Sequence, residues 1–255
     1  MTLTDLGYAR HWSIAKNITL RLPTINEETP DYEFMETFNL ELEALYVAEL
    51  EAYLSVTGLR NYELTEEEER AISSFNKVEW KEYQIKCLFG RIGTKKLPYK
   101  AKELPKEPTG KYILPCLTSS FMNQGLNYFA PKENATILEN VISIPSNSDV
   151  YRAYFQSEEF TVLSDAYAIK WIYDDRELSK TQYLFTVTSI NKVTDLPKYS
   201  YKNKLGGWNV VKNKLISLPI KNNKPDYEYM ETLISAIQKL VIKDVVLYAN
   251  RKINE

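Results

Sequence analysis

Three segments of this chain concentrate residue types that bind nucleic acid. The first is Thr94-Lys95-Lys96, extended by Lys100 and Lys102. The second is Thr118-Ser119-Ser120-Phe121-Met122-Asn123-Gln124-Gly125, and the third Lys198-Tyr199-Ser200-Tyr201-Lys202-Asn203-Lys204. Lysines neutralise phosphates, a contribution that dominates affinity and weakens with salt. Asn and Gln can take an adenine edge through two hydrogen bonds in the major groove. Ser, Thr and Tyr hydroxyls reach phosphate oxygens. Any one segment is better explained as a solvated loop; three in one basic stretch shift the balance modestly toward polyanion binding. The candidate DNA-contact residues are Lys95, Lys96, Thr118, Ser119, Asn123, Gln124, Tyr201, Lys202 and Lys204.

Catalysis finds little support. A nuclease of the Pro-Asp…(Asp/Glu)-x-Lys type needs acidic metal ligands and a lysine close in space. Pro30-Asp31 and Glu79-Trp80-Lys81 are the available pieces. Pro-Asp recurs at 225–226 in the same setting, so it reads better as a helix start. A cofactor site of the methyltransferase kind needs a glycine-rich loop after a strand; Gly206-Gly207 is followed by Trp-Asn and no helical pattern. A Ser-His-Asp triad or histidine-rich zinc site would rest on the single histidine, His11. In its irregular segment His11 reads as a surface or packing residue. No P-loop is present. The expectation is no catalytic residue, no metal and no cofactor.

Composition sets the outer bounds. With 255 residues and 44% hydrophobic content, the chain can bury a sizeable core. No run of about 18 apolar residues suggests a membrane span, and MTLTDLGYARHW lacks the pattern of a secretory signal. Cys87 and Cys116 have no metal-ligand spacing and read as small core residues in a reduced, cytoplasmic setting. The net charge of −2 hides an asymmetry. Residues 27–70 hold 14 acidic residues against Arg60 and Arg70, whereas residues 77–214 hold 21 Lys and Arg against 14 Asp and Glu. An acidic segment therefore precedes a basic one that can meet polyanions.

The elements that must position these loops are marked by an internal repeat. PDYEFMET at 30–37 and PDYEYMET at 225–232 share seven of eight residues. Each follows a β-like stretch ending in Leu-Pro (Leu22-Pro23, Leu218-Pro219) and a polar loop, and each opens a long helix, expected over 32–55 and 226–250. Asp31 and Asp226 are candidate N-caps. Glu33 and Glu228 sit in the first turn, where the helix dipole favours them. At a constant offset, Met35 matches Met230, Phe38 Leu233, Leu42 Ile237, Leu45 Leu240, and Ala52 Leu247. The spacing describes a heptad seam, interrupted at Glu49 and Asp244 in both copies. Met35, Phe38, Leu42, Leu45, Met230, Leu233, Ile237 and Leu240 are the candidate helix-pairing or dimer residues.

Between the helices, Gly58 is expected to end the first. Thr65 with Glu68 makes a capping box for a short acidic helix. Residues 77–215 turn strand-like at Ile113-Leu114, Val141–Ile144, Thr161–Leu163, Ala168–Ile172 and Tyr183–Val187, separated by Gly, Pro and Asn clusters. Residues 178–192 also satisfy helical spacing through Leu178, Gln182, Phe185 and Ser189, so periodicity leaves both alternatives open there.

Taken together, Leu-Pro, polar loop, Pro-Asp, aromatic, Met-Glu and long helix resemble the conserved regions of type I restriction–modification specificity (S) subunits. Val78–Ile85 with Leu88-Phe89 looks like the opening of that family's target recognition domain. Leu114–Ser120 and Asn123-Gln124-Gly125 look like its Pro-x-x-Thr…Asn-x-Gly segment. The resemblance covers the chain from about residue 17. It implies an α+β fold: one mainly β recognition domain flanked by two long helices packing as an antiparallel coiled coil. The divisions expected are 1–25 as a remnant strand or lead-in, 26–60 as the first conserved helix and 61–76 as an acidic connector. The recognition domain follows at 77–220 and the second helix at 221–255.

The resemblance also implies a non-catalytic subunit that reads double-stranded DNA and holds methyltransferase (M) and restriction (R) subunits on it. A full subunit has two recognition domains, and this sequence has room for one, so it resembles a half-subunit. Two copies can dimerise and read an inverted repeat. With both helices attached to the domain by their near ends, they should run antiparallel, with Met35 near Tyr248. The acidic face of the first helix (Glu41, Glu43, Glu49, Glu51) should stand off the DNA. The contrasting readings are a protein-interaction scaffold or a non-functional remnant of a split gene, and an enzyme acting on nucleic acid.

Overall fold

The structure is a computed structural model and describes residues 16–26, 28–200 and 202–254. In chain order its main elements are α1 (Tyr32–Val56), α2 (Glu66–Ser73), β1 (Trp80–Gln84), β2 (Phe89–Arg91), β3 (Tyr112–Leu117), β4 (Leu126–Pro131), β5 (Val141–Pro145), β6 (Tyr154–Gln156), β7 (Thr161–Val162), β8 (Ala166–Trp171), α3 (Lys180–Thr194), β9 (Leu215–Lys221), β10 (Lys224–Pro225) and α4 (Tyr227–Asn254). The architecture is mixed α+β. The described residues form two compact units, one from residues up to Tyr62 and from Ile242 onward, the other Glu63–Val241.

The two long helices begin alike. Asp31 accepts a hydrogen bond from the Phe34 N–H (2.9 Å) and Asp226 from the Tyr229 N–H (3.1 Å). Each side chain thereby satisfies a helix donor that has no partner within the helix. Each aspartate's own N–H donates to the proline carbonyl of the preceding Leu-Pro, Pro23 at 2.9 Å and Pro219 at 2.8 Å. The doubled motif is therefore a doubled local structure. The lead-ins differ. Leu218-Pro219 lies in β9, whereas residues 16–22 form no strand, and only an isolated bridge joins Thr24 to Pro30. A strand needs a partner for its backbone. β9 has β1 on one side and β10 on the other. Leu20, Leu22 and Ile25 stand exposed. Residues 1–15, with His11, lie outside the described residues.

In the first unit the helices meet in antiparallel order. Glu43 accepts from the Tyr248 hydroxyl (3.1 Å) and Lys252 Nζ (3.1 Å). Further along α1, Leu54 is buried with Val246 and Ala249, and Leu50 and Ile242 pack on them. The expected seam is corrected in two ways. Met230 and Leu233 are buried among Ile216 and Leu218 in the core of the other unit. Phe38, Leu45, Ile237 and Leu240 are exposed. Periodicity identifies a shared face but not the neighbour that covers it. The observed contact uses other positions, Leu54 with Val246 and Ala249 beside Leu50 and Ile242, of which Leu54 and Ala249 still correspond at the repeat offset. Tyr248 lies by Glu43, not Met35. Gly58, at φ 70°, sits just past the end of α1 in the left-handed conformation that suits glycine.

The second unit holds three sheets among the described residues: β1-β9-β10, β2-β8-β5-β6 and β4-β3-β7. Their pairs are antiparallel except β3–β7. Ile85, Leu88, Phe89, Ile142, Ile144, Ile169, Ile190 and Met230 form the main core. The segment around Tyr183–Val187 is not a strand but lies inside α3. Ser179 accepts from the Gln182 N–H while Gln182 accepts from the Ser179 N–H, a capping box that starts a helix whatever the β propensity downstream. Cys116 is buried, and burial pushes its thiol up to about 12. Cys87, expected in the core, is exposed, because Ile85 and Leu88 take the inward face of its helical turn. Trp208–Val211 is a single helical turn where no helical pattern was read.

The Thr65–Glu68 capping box is present, and Glu68 does more than cap. It is only 5% exposed and accepts from Lys239 Nζ (2.8 Å) and Ser235 Oγ (2.6 Å). Burial disfavours the charged carboxylate, but these bonds outweigh it and hold the group at about 2. A depressed folded value means the contribution is complete above about 4.5 and disappears as the pH falls through about 2. Glu68→Gln should cost about 2 kcal/mol in urea unfolding at pH 7. It should also flatten the acid limb of the stability profile between those values. An unchanged midpoint would show that the pair contributes nothing.

Candidate nucleic-acid interface

The second polar segment is the most constrained of the three. Thr118 N–H donates to the Gly125 carbonyl (3.0 Å), closing the loop between β3 and β4. Asn127 Nδ2 donates to Thr118 Oγ1 (3.0 Å) and Met122 N–H to Ser120 Oγ (3.1 Å). Two side chains of β6 hold the tip: the Tyr154 hydroxyl donates to the Phe121 carbonyl (3.0 Å) and Gln156 Nε2 to the Gln124 carbonyl (3.1 Å). Gln156 is itself anchored on Ser143 Oγ at 3.0 Å.

Within this frame Asn123 (φ 46°, ψ 41°) and Gln124 (φ 55°, ψ 28°) are both left-handed, and Gly125 follows at φ 94°. Consecutive left-handed residues with side chains are costly. The conformation leaves the Asn123 and Gln124 side chains exposed at the tip. Thr118 and Ser119 are half-buried, and the Thr118 hydroxyl already serves the loop.

A cleft of about 540 Å³ opens beside the loop. Thr118–Met122 line it together with Asn147, Asp149 and Asp165. Ala101, between the exposed Lys100 and Lys102, lines it too. The structure thus brings the end of the first basic segment to the second. Lys95 and Lys96 are exposed, with the Lys95 N–H on Thr136 Oγ1 at 2.9 Å.

The third segment is a closed turn. Ser200 N–H donates to the Asn203 carbonyl (3.0 Å) and Asn203 Nδ2 to the Lys198 carbonyl (2.6 Å). Tyr199 is held by Lys214 Nζ at 3.0 Å, a bond that lowers its hydroxyl's pKa. Lys202 and Lys204 are exposed. Tyr201 lies outside the described residues. Sequence reasoning missed Tyr154 and Gln156, since nothing local connects them to a loop 30 residues earlier.

The strain at the tip is measurable. Gln124→Gly relieves a left-handed side chain while leaving the backbone carbonyl that Gln156 binds. It should stabilise the protein by about 0.5–1 kcal/mol in thermal or urea unfolding. A destabilised variant would mean that the Gln124 side chain holds the loop.

No protein-family model matches the chain, and no curated protein matches it in sequence. Its fold is similar to solved structures. A type I restriction-modification system S subunit from M. genitalium is 13% identical, with 85% of this chain and 55% of that one covered, at a TM-score of 0.44. The HsdS subunit from Thermoanaerobacter tengcongensis is 14% identical, with coverage of 88% and 54% and a TM-score of 0.43. A chain from work on complex assembly and conformational transition of the type I R-M system is 12% identical, with coverage of 86% and 54% and a TM-score of 0.46. In fold, then, the chain is similar to S subunits of type I restriction-modification systems, and it spans about half the length of the chains it matches.

Proposed function

We propose that this chain is a sequence-specific reader of double-stranded DNA, a non-catalytic specificity subunit of a type I restriction–modification system. In this reading it positions methyltransferase and restriction subunits on the target, in the cytoplasm. The observation that supports it best is the clamped, strained loop at 118–125. Amide side chains held outward on a fixed backbone suit base-edge reading, which needs directional donors and acceptors. Lys95, Lys96, Lys202 and Lys204 supply phosphate contacts, and Tyr201 a further hydroxyl.

The long helices serve as spacer and docking surface. Phe38 and Leu45 of α1 leave apolar surface exposed in the first unit, and Ile237, Leu240 and Val241 of α4 leave it separately in the second, as interaction surfaces do. A second copy is the proposed partner there, giving a two-domain reader of an inverted repeat. The same surface favours the second reading, a protein-interaction module without DNA affinity.

Selection from a random duplex library separates the two readings. A single short motif should emerge, with affinity falling steeply as salt rises; absence of any preference would sink DNA recognition. Asn123→Ala or Gln124→Ala should change the preferred base at one position, by about 1–3 kcal/mol per lost bidentate contact. Lys202→Ala or Lys204→Ala should weaken all sequences alike and reduce the salt slope by about 0.9 each. A solution mass of twice the 29.7 kDa chain is expected for the dimer; a monomer at micromolar concentration would count against it.

A further inference from the structure

The loop that holds Asn123 and Gln124 outward also keeps two apolar side chains in water. Phe121 is 52% exposed and Met122 65%. Neither belongs to any buried cluster among the described residues. A slack loop would turn a phenylalanine onto the nearest surface. This one is pinned within the pair, at the Phe121 carbonyl by Tyr154, and just after it, at the Gln124 carbonyl by Gln156. The Met122 N–H is held by Ser120. The same bonds hold Asn123 and Gln124 in a strained left-handed backbone that a free loop would release. Exposed apolar side chains on a pinned backbone are what a protein needs to enter a base stack.

The surroundings indicate which part of a duplex the tip can approach. Asp149 and Asp165 line the cleft with Asn127, Asn147 and Thr118. Two carboxylates repel phosphates, so this patch does not suit the DNA backbone. They do suit the exocyclic amino groups of cytosine and adenine, which are donors at the groove floor.

We propose that Phe121 and Met122 form an apolar wedge that inserts at one base step of the bound duplex, unstacking and bending it. The wedge rests on the DNA-recognition reading and extends it: part of the specificity comes from how easily a step deforms. The target should therefore carry a flexible pyrimidine–purine step beneath the tip.

The test uses the full chain and the duplex recovered by library selection, with 2-aminopurine placed at successive positions. Binding of the unaltered protein should raise fluorescence several-fold at one step, the signature of unstacking. The double variant Phe121→Ala, Met122→Ala should lose that rise and bind about tenfold more weakly. Its melting temperature should not change, because both side chains are exposed. Phe121→Leu with Met122→Leu should keep the rise. A protein that binds the selected duplex without any rise, or an alanine variant with an undiminished one, overturns the wedge alone. A protein that selects no sequence overturns DNA recognition and the wedge with it.

Discussion

The hydrogen bonds at Asp226 set where α4 begins, and a helix start sets the face of every later residue. Its side chain takes the Tyr229 N–H, while its own N–H is given to Pro219 of β9. Asn222 and Asn223, both at positive φ, make the two-residue turn that returns β10 along β9. Strand, hairpin and helix are thus tied within a dozen residues. From that start Tyr227, Met230 and Leu233 enter the main core beside Ile216 and Leu218. The Tyr227 hydroxyl reaches Asp174 at 2.8 Å, and Arg176 lies over its ring at 4.0 Å. A start displaced by one residue would rotate the helix by about 100° and carry Met230 out of the core.

The acidic helix α2 obeys a different constraint. Glu66, Glu67, Glu68 and Glu69 open the short acidic helix that the sequence predicts. Only Glu68 is drawn inward, to Lys239 and Ser235 of α4, while Glu66, Glu67 and Glu69 remain in solvent. Burying one carboxylate is tolerable because its bonds are supplied by a lysine, a serine and the Thr65 N–H. Lys239 also donates to the Glu63 carbonyl at 2.9 Å, so the connector before α2 is fastened to the same helix.

Rigidity at the 118–125 loop comes from elsewhere in the chain. β6 lies between β5 and the loop in its bonding: Gln156 touches Ser143 of β5 and the Gln124 carbonyl. A sheet strand therefore fixes a surface tip. Sites on rigid supports can present donors and acceptors at defined angles, and they hold strain that a free loop would release. In the proposed function, that is the difference between a lysine-rich loop that adheres to any duplex and a tip that distinguishes bases.

What the sequence determined by itself was local and periodic. Pro-Asp starts, the Thr65–Glu68 box, Gly58 past the end of α1 and the strands β3, β5, β7, β8 and β9 depend on neighbours within four residues or on alternation. The Ser179–Gln182 box was equally local, and its hydrogen bonds decided the segment at 178–192 that periodicity left open. The partner of each face was decided only by tertiary structure. Met230 and Leu233 fit a helix seam by spacing, yet they fill the β domain's core because β9 is tied to the start of α4. Leu54, Val246 and Ala249 make the helix contact instead. The left-handed backbone of Asn123 and Gln124 was likewise beyond local reading, since it is held by Tyr154 and Gln156, about 30 residues away in sequence. Spacing fixes which side chains lie together on an element, and only long-range packing decides what they meet.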